Sequence, residues 1–181
     1  MLLQVKNKRG VSVVIGYVLL IAISIVMSVL VYSWLKTYVP SETLQCPEGA
    51  SIFIENYSYD CTTRKLAITL QNNGKFSLAG FFIHVSTSPE SEAIATIDLS
   101  SRLSDGGINQ STGGSILYKA SENGLTPDSP NNIKTSTFNV ANYGNTLKEV
   151  EIIPLRFQEE DNKKRVVSCS DAKVKETLVC N

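Results

Sequence analysis

Two patterns of apolar positions divide the chain. From Val11 to Leu35, 25 residues pass without a charge or a proline. At about 1.5 Å rise per residue they make a helix of about 37 Å, longer than a hydrocarbon core of about 30 Å. The segment reads as a membrane-spanning helix over 11–39, apolar all round and ended by Pro40. A hinge follows over 40–50. From residue 51 the period falls to two. Ile52 and Ile54 share one face of a strand, and Phe53, Tyr57 and Tyr59 the other. Leu66, Ile68 and Leu70 repeat the alternation after a turn at 60–63, which predicts a hairpin. Asn72-Asn73-Gly74 is a strong turn signal. Further strands are expected over 79–87, 94–99, 115–119, 134–140, 148–157, 165–169 and 174–180, with no helix after residue 43. Seven or more short strands with turns between them predict a mainly β fold. It is an immunoglobulin-like β-sandwich over 51–181, carried by one long N-terminal hydrophobic α-helix.

Charge gives this plan a direction. Formal net charge is zero, yet Lys6, Lys8 and Arg9 crowd into the first ten residues with no acid. Removing them from the seventeen Lys and Arg leaves fourteen against seventeen Asp and Glu, a net of −3 for the remainder. Such a remainder is a poor partner for nucleic acid. Three basic residues precede the uncharged run and only Lys36 closely follows it. The positive-inside rule therefore puts the N-terminus in the cytoplasm and the β domain outside. All four cysteines lie beyond the helix, as an oxidising exterior would suit. The mixed run Glu159-Glu160-Asp161 to Lys163-Lys164-Arg165 reads as a solvated loop.

The cysteines permit a geometric argument. Cys46 and Cys61 flank the first strand, and Cys169 and Cys180 the last. At about 3.3 Å per residue the ends of the first strand lie roughly 25 Å apart, whereas a disulfide needs Cα atoms within about 7 Å. Two connectivities survive. One is Cys46–Cys180 with Cys61–Cys169, the preferred set if the last strand runs antiparallel to the first. The other is Cys46–Cys169 with Cys61–Cys180. No C-x-x-C pair speaks for a zinc site.

Nothing along the chain reads as catalytic, and no metal or cofactor is implied. The single histidine, His84, lies in an alternating strand, and there is no phosphate-binding glycine loop. Two N-glycosylation sequons occur, Asn56-Tyr57-Ser58 and Asn109-Gln110-Ser111. Asn109 sits in a Gly/Ser-rich loop, whereas Asn56 lies in a strand and is usable only if it faces solvent. Within the helix, Gly16, Ala22, Ser24 and Ser28 are small, and Ser24-x-x-x-Ser28 has the spacing that lets helices approach closely in lipid.

The stretch Lys8-Arg9-Gly10-Val11-Ser12-Val13-Val14-Ile15-Gly16, continuing into Leu19-Leu20-Ile21-Ala22-Ile23, resembles the N-termini of archaeal type IV pilins and pilin-like proteins. The likeness covers about residues 6–35. It implies that residues 1–10 are a leader, recognised at Lys8 and Arg9 and cut between Gly10 and Val11 by a membrane aspartic peptidase on the cytoplasmic side. It also implies that the freed helices bundle with other copies in a filament core. Bacterial pilins usually carry a glutamate where this chain has Ile15, so assembly here would rest on apolar packing. The expected function is a structural subunit of a surface filament, membrane-held as a precursor. Adhesion through Tyr57, Tyr59, Phe81 and Phe82 would compete with core packing of those aromatics. The rival is a non-polymerising, membrane-anchored binding or sensor domain that keeps its leader. A cleaved secretory signal fits poorly, because the apolar run is too long and Tyr32-Ser33-Trp34 is no small-residue site.

Overall fold

The computed structural model describes residues 9–38, 44–88, 94–104, 110–119, 122–160 and 162–180. They form two compact units, Met1–Thr43 and Leu44–Asn181. The first is one helix, α1, Arg9–Tyr38. It starts two residues before the expected Val11, so Gly10 lies within its first turn. Lys8 and Pro40 fall outside the described residues.

The second unit is a β-sandwich. Strands β1 (Phe53–Asp60), β2 (Lys65–Gln71) and β7 (Ile133–Asn139) form one antiparallel sheet in the order β1-β2-β7. The other sheet runs β10 (Val174–Thr177), β8 (Glu149–Glu160), β3 (Gly80–Ser86), β6 (Ser115–Leu117), β5 (Gln110–Thr112). Two further strands join it: the short β4 (Ile97–Asp98) on β3 and β9 (Lys163–Ser168) on β8. The orders β1-β2-β7 and β10-β8-β3 match the A-B-E and G-F-C orders of an immunoglobulin-like sandwich, with β6 and β5 extending the second sheet beyond β3. Leu66, Ile68 and Leu70 of β2 and Phe138 of β7 meet Phe81, Ile83 and Val85 of β3 and Val150 and Ile152 of β8 in one buried core. The alternation in β2 is as expected.

Several features depart from simple alternation. In β1 the register slips between Ile54 and Asn56, where Glu55 forms a bulge. One extra residue reverses the phase of all that follows. Phe53 therefore faces out, 48% exposed, while Ile52 and Ile54 share the core with Tyr59 and the half-buried Tyr57. The expected grouping of Phe53 with Tyr57 and Tyr59 is corrected on that ground. Asn72-Asn73-Gly74 turns the chain but closes no hairpin, because β2 and β3 lie in different sheets. The Asn72 side chain accepts from the Gly74 amide and donates to the carbonyls of Phe76 and Leu125, which satisfies a polar group only 1% exposed. The charged run at 159–165 is not a loop. β8 and β9 pair through it, Glu159 opposite Lys164 and Glu160 opposite Lys163. Opposite charges across a ribbon support the pairing. The glycine-rich stretch 104–114 holds a strand, β5, that alternation alone did not predict. Beyond α1, the helical elements among the described residues are three short 3-10 turns.

The domain starts earlier than residue 51. The Lys75 amide donates to the Gly49 carbonyl at 2.8 Å, the Gln158 side chain donates to the Gln45 carbonyl at 3.1 Å, and Cys46 is bonded to Cys169. Residues 44–50, expected as part of a hinge, are therefore held to the sandwich.

Candidate functional site

The helix is the first candidate surface. Its side chains from Val13 to Tyr38 are all solvent-accessible, and the span Val13–Tyr38 is long and apolar enough to cross a membrane. Four serine and threonine hydroxyls on it are satisfied internally. Ser24 donates to the Leu20 carbonyl and Ser28 to the Ser24 carbonyl, each at 2.8 Å, while Ser33 and Thr37 bond back to Leu30 and Ser33 at 2.9 and 3.2 Å. Such back-bonding lets a hydroxyl enter an apolar medium without an unmet donor. At the C-terminal end, Trp34 and Tyr38 pack ring to ring at 4.7 Å, and Lys36 lies in the same last turn. Aromatics with a nearby cation suit a membrane interface.

The small residues do not form one seam. At about 100° per residue, Ser24 and Ser28 lie about 40° apart, but Gly16 and Ala22 lie about 120° from each other. Ser24 and Ser28 thus share a face, and Gly16 presents an open surface elsewhere, with nothing near its missing Cβ. Apolar residues surround the whole helix, so no single face is marked for burial.

The disulfides join Cys46 to Cys169 and Cys61 to Cys180, with Cα separations of 5.0 and 5.8 Å. This is the second of the two expected sets, and it corrects the preferred pairing of Cys46 with Cys180 and Cys61 with Cys169. The reason is strand direction. Residues before β1 are tied to residues before β10, and residues after β1 to residues after β10. β1 and β10 therefore run the same way along one flank of the sandwich, not antiparallel. The exclusion of Cys46–Cys61 and Cys169–Cys180 stands.

A charged cluster lies on the outer face of the larger sheet, where sequence reasoning had marked nothing. Lys175 donates to buried Glu149 at 2.8 Å and lies 3.6 Å from Glu151, with Lys173 at 3.7 Å from Glu151. Alternation in β8 puts Glu149 and Glu151 on one face, and the sequence signal was the Lys-x-Lys of the last strand facing Glu-x-Glu. The hydrogen bond from Lys175 to Glu149 and the nearby carboxylates hold the Lys175 ammonium above its ordinary value. Asp60 caps the β1–β2 turn. Hydrogen bonds from the Thr63 hydroxyl and the Thr62 and Thr63 amides hold its carboxyl below the usual range.

The remaining candidates sort as follows. Tyr59 and Phe81 are fully buried, Tyr57 packs on the core, and Phe82 packs on a second small cluster with Leu117 and Leu155. Core packing thus takes these aromatics. His84 stacks on Phe82. Asn56 is exposed on β1, and Asn109 lies outside the described residues. Among the described residues no three His, Cys, Asp or Glu side chains are placed to hold a metal ion. Set beside known proteins, the chain matches no family model and no curated protein. A membrane-length apolar helix and two disulfides suit a membrane-anchored or extracellular protein.

Proposed function

We propose that this chain is a structural subunit of a type IV pilin-like surface filament, held in the membrane as a precursor and assembled through α1. The observation that carries the reading is the helix itself. Its run from Val11 to Leu35 is uncharged on every side and follows Lys8-Arg9-Gly10 directly, with Arg9 and Gly10 as the first two residues of the helix. A helix of this kind needs apolar neighbours all round, either lipid or other helices. Release of the leader at Gly10-Val11 would remove Lys6, Lys8 and Arg9, the charges that hold the N-terminal end at the cytoplasmic surface. The helix could then leave the bilayer for a bundle of its own kind, with the sandwich displayed outside.

The aromatic and cationic end of α1 equally suits a permanent anchor that carries a binding or sensor domain. Gly10→Val separates the two. In a filament subunit it blocks processing and assembly together. In an anchor, which keeps its leader in either form, it changes neither processing nor location, and that result would overturn the filament reading.

A further inference from the structure

The bulge at Glu55 decides what the first sequon can do. Continued alternation from Ile52 and Ile54 would turn Asn56 and Ser58 into the core. The slip at Glu55 turns them outward and turns Tyr57 and Tyr59 inward. Asn56 and Ser58, two residues apart on an extended strand, then share the outer face of the smaller sheet. An N-linked site needs this pair, an asparagine amide and a hydroxyl two residues on.

The surrounding face is unlike the rest of the domain. Asn56 stands opposite Thr69, which stands opposite Thr135, and the two threonine hydroxyls lie 2.9 Å apart. The adjacent row is Phe53, Gln71 and Ile133, with Phe53 48% and Ile133 38% exposed. Ser58, Ala67 and Thr137 form the row on the other side. The paired positions of these three rows carry no charge, and a carboxylate beside them is that of the exposed bulge residue Glu55, between Phe53 and Asn56 on β1. Hydroxyls and an amide beside exposed apolar carbon match a sugar, which offers hydroxyls and C–H faces together. An exposed Phe in such a row is otherwise a cost in water.

We propose that Asn56 carries an N-linked glycan that lies over this face. The proposal rests on the reading that the sandwich is outside the membrane, where a lipid-phosphate-linked glycan would serve as donor. In the transfer, Asn56 Nδ2 forms a bond to the anomeric carbon, and the bond from that carbon to the phosphate oxygen breaks. The lipid phosphate leaves with the electron pair, and the amide nitrogen gives up one proton to a base of the transferase. Nothing is oxidised or reduced.

The test is mass spectrometry of the full chain from its native cells, read intact and as the reduced peptide that contains Asn56, with protease treatment of whole cells alongside. The expected result is a peptide heavier by a glycan. Asn56→Gln and Ser58→Ala should each lower the intact mass by the same glycan, while Asn109→Gln leaves the Asn56 peptide modified. Both Asn56 and Ser58 are exposed, so both variants should keep the two disulfides, which non-reducing peptide mapping would check. An unmodified Asn56 peptide overturns the proposal. If the domain is then cut by protease from outside, the error lies in the site. If it is protected inside the cell, the orientation reading falls with it.

Discussion

The helix and the sandwich treat their apolar residues in opposite ways. In the sandwich, Ile52, Leu66, Ile68, Leu70, Phe81 and Ile83 are sealed between two sheets of one chain. In α1, equally apolar residues such as Leu19, Ile21 and Val29 stay more than half exposed. The sandwich completes its own core and the helix does not. The difference shows where the chain is self-sufficient and where it needs surroundings, either a bilayer or other helices. It also assigns the polar groups. Ser24 and Ser28 on the helix donate to carbonyls one turn back, whereas Asn72 in the sandwich bridges separate segments.

The sharpest way to break the comparison acts at the junction of leader and helix. Gly10→Val should abolish processing in the native membrane while the sandwich folds as before, seen as an unprocessed mass with both disulfides formed. A variant that loses the sandwich as well would mean that the two regions are not independent.

Next in size are the disulfides. They close sequence separations of 123 and 119 residues, so each restricts the unfolded chain strongly. Replacing Cys61 and Cys180 together with serine should cost about 2–5 kcal/mol in denaturant unfolding of the detergent-held protein. The midpoint of the helical signal should barely move.

Gly80→Ala should come third. A Cβ at Gly80 would run into the Ile116 carbonyl where β3 and β6 pair, and backbone cannot swing aside. A loss of about 3 kcal/mol is expected, against almost none for Gly16→Ala, where no atom is near. The pair of variants measures the comparison directly, since the same change meets packed backbone in one region and open surface in the other.

The smallest effect belongs to the Lys175 cluster. Its ammonium is held above the ordinary value, so the stability it contributes is fully present below the unfolded lysine range near pH 10.4. That contribution is lost as pH rises through the folded value. Lys175→Met should lower stability at neutral pH and flatten this alkaline loss. Adding Glu149→Gln should recover part of the deficit, because the buried carboxylate left unpaired is then removed. Unfolding followed from pH 7 to 11 checks both.

Much of this was legible in the chain, for physical reasons that differ by element. The helix showed because 25 uncharged residues have few other fates in water. β2 showed because Leu66, Ile68 and Leu70 keep strict phase against one core. β8 was legible although it holds Pro154, which sits where β9 ends and β10 has yet to begin. β1 misled because a bulge is a change of register that leaves composition untouched. β5 was hidden because Gln110, Ser111 and Thr112 are all exposed, so no apolar alternation marks them. The disulfide pairing was within reach. In an immunoglobulin-like sandwich of seven strands that alternate in direction, the first and the last run the same way. That favours Cys46–Cys169 and Cys61–Cys180 over the set first preferred. The Lys175 cluster needed the β8–β10 register, which pairs residues 149–152 with 174–177.

The most direct test of the central claim is the intact mass and N-terminal sequence of the protein from its native membrane. The filament account predicts a chain that begins at Val11, lacking Lys6, Lys8 and Arg9. A chain that retains residues through Gly10 would contradict it and leave an anchored sandwich.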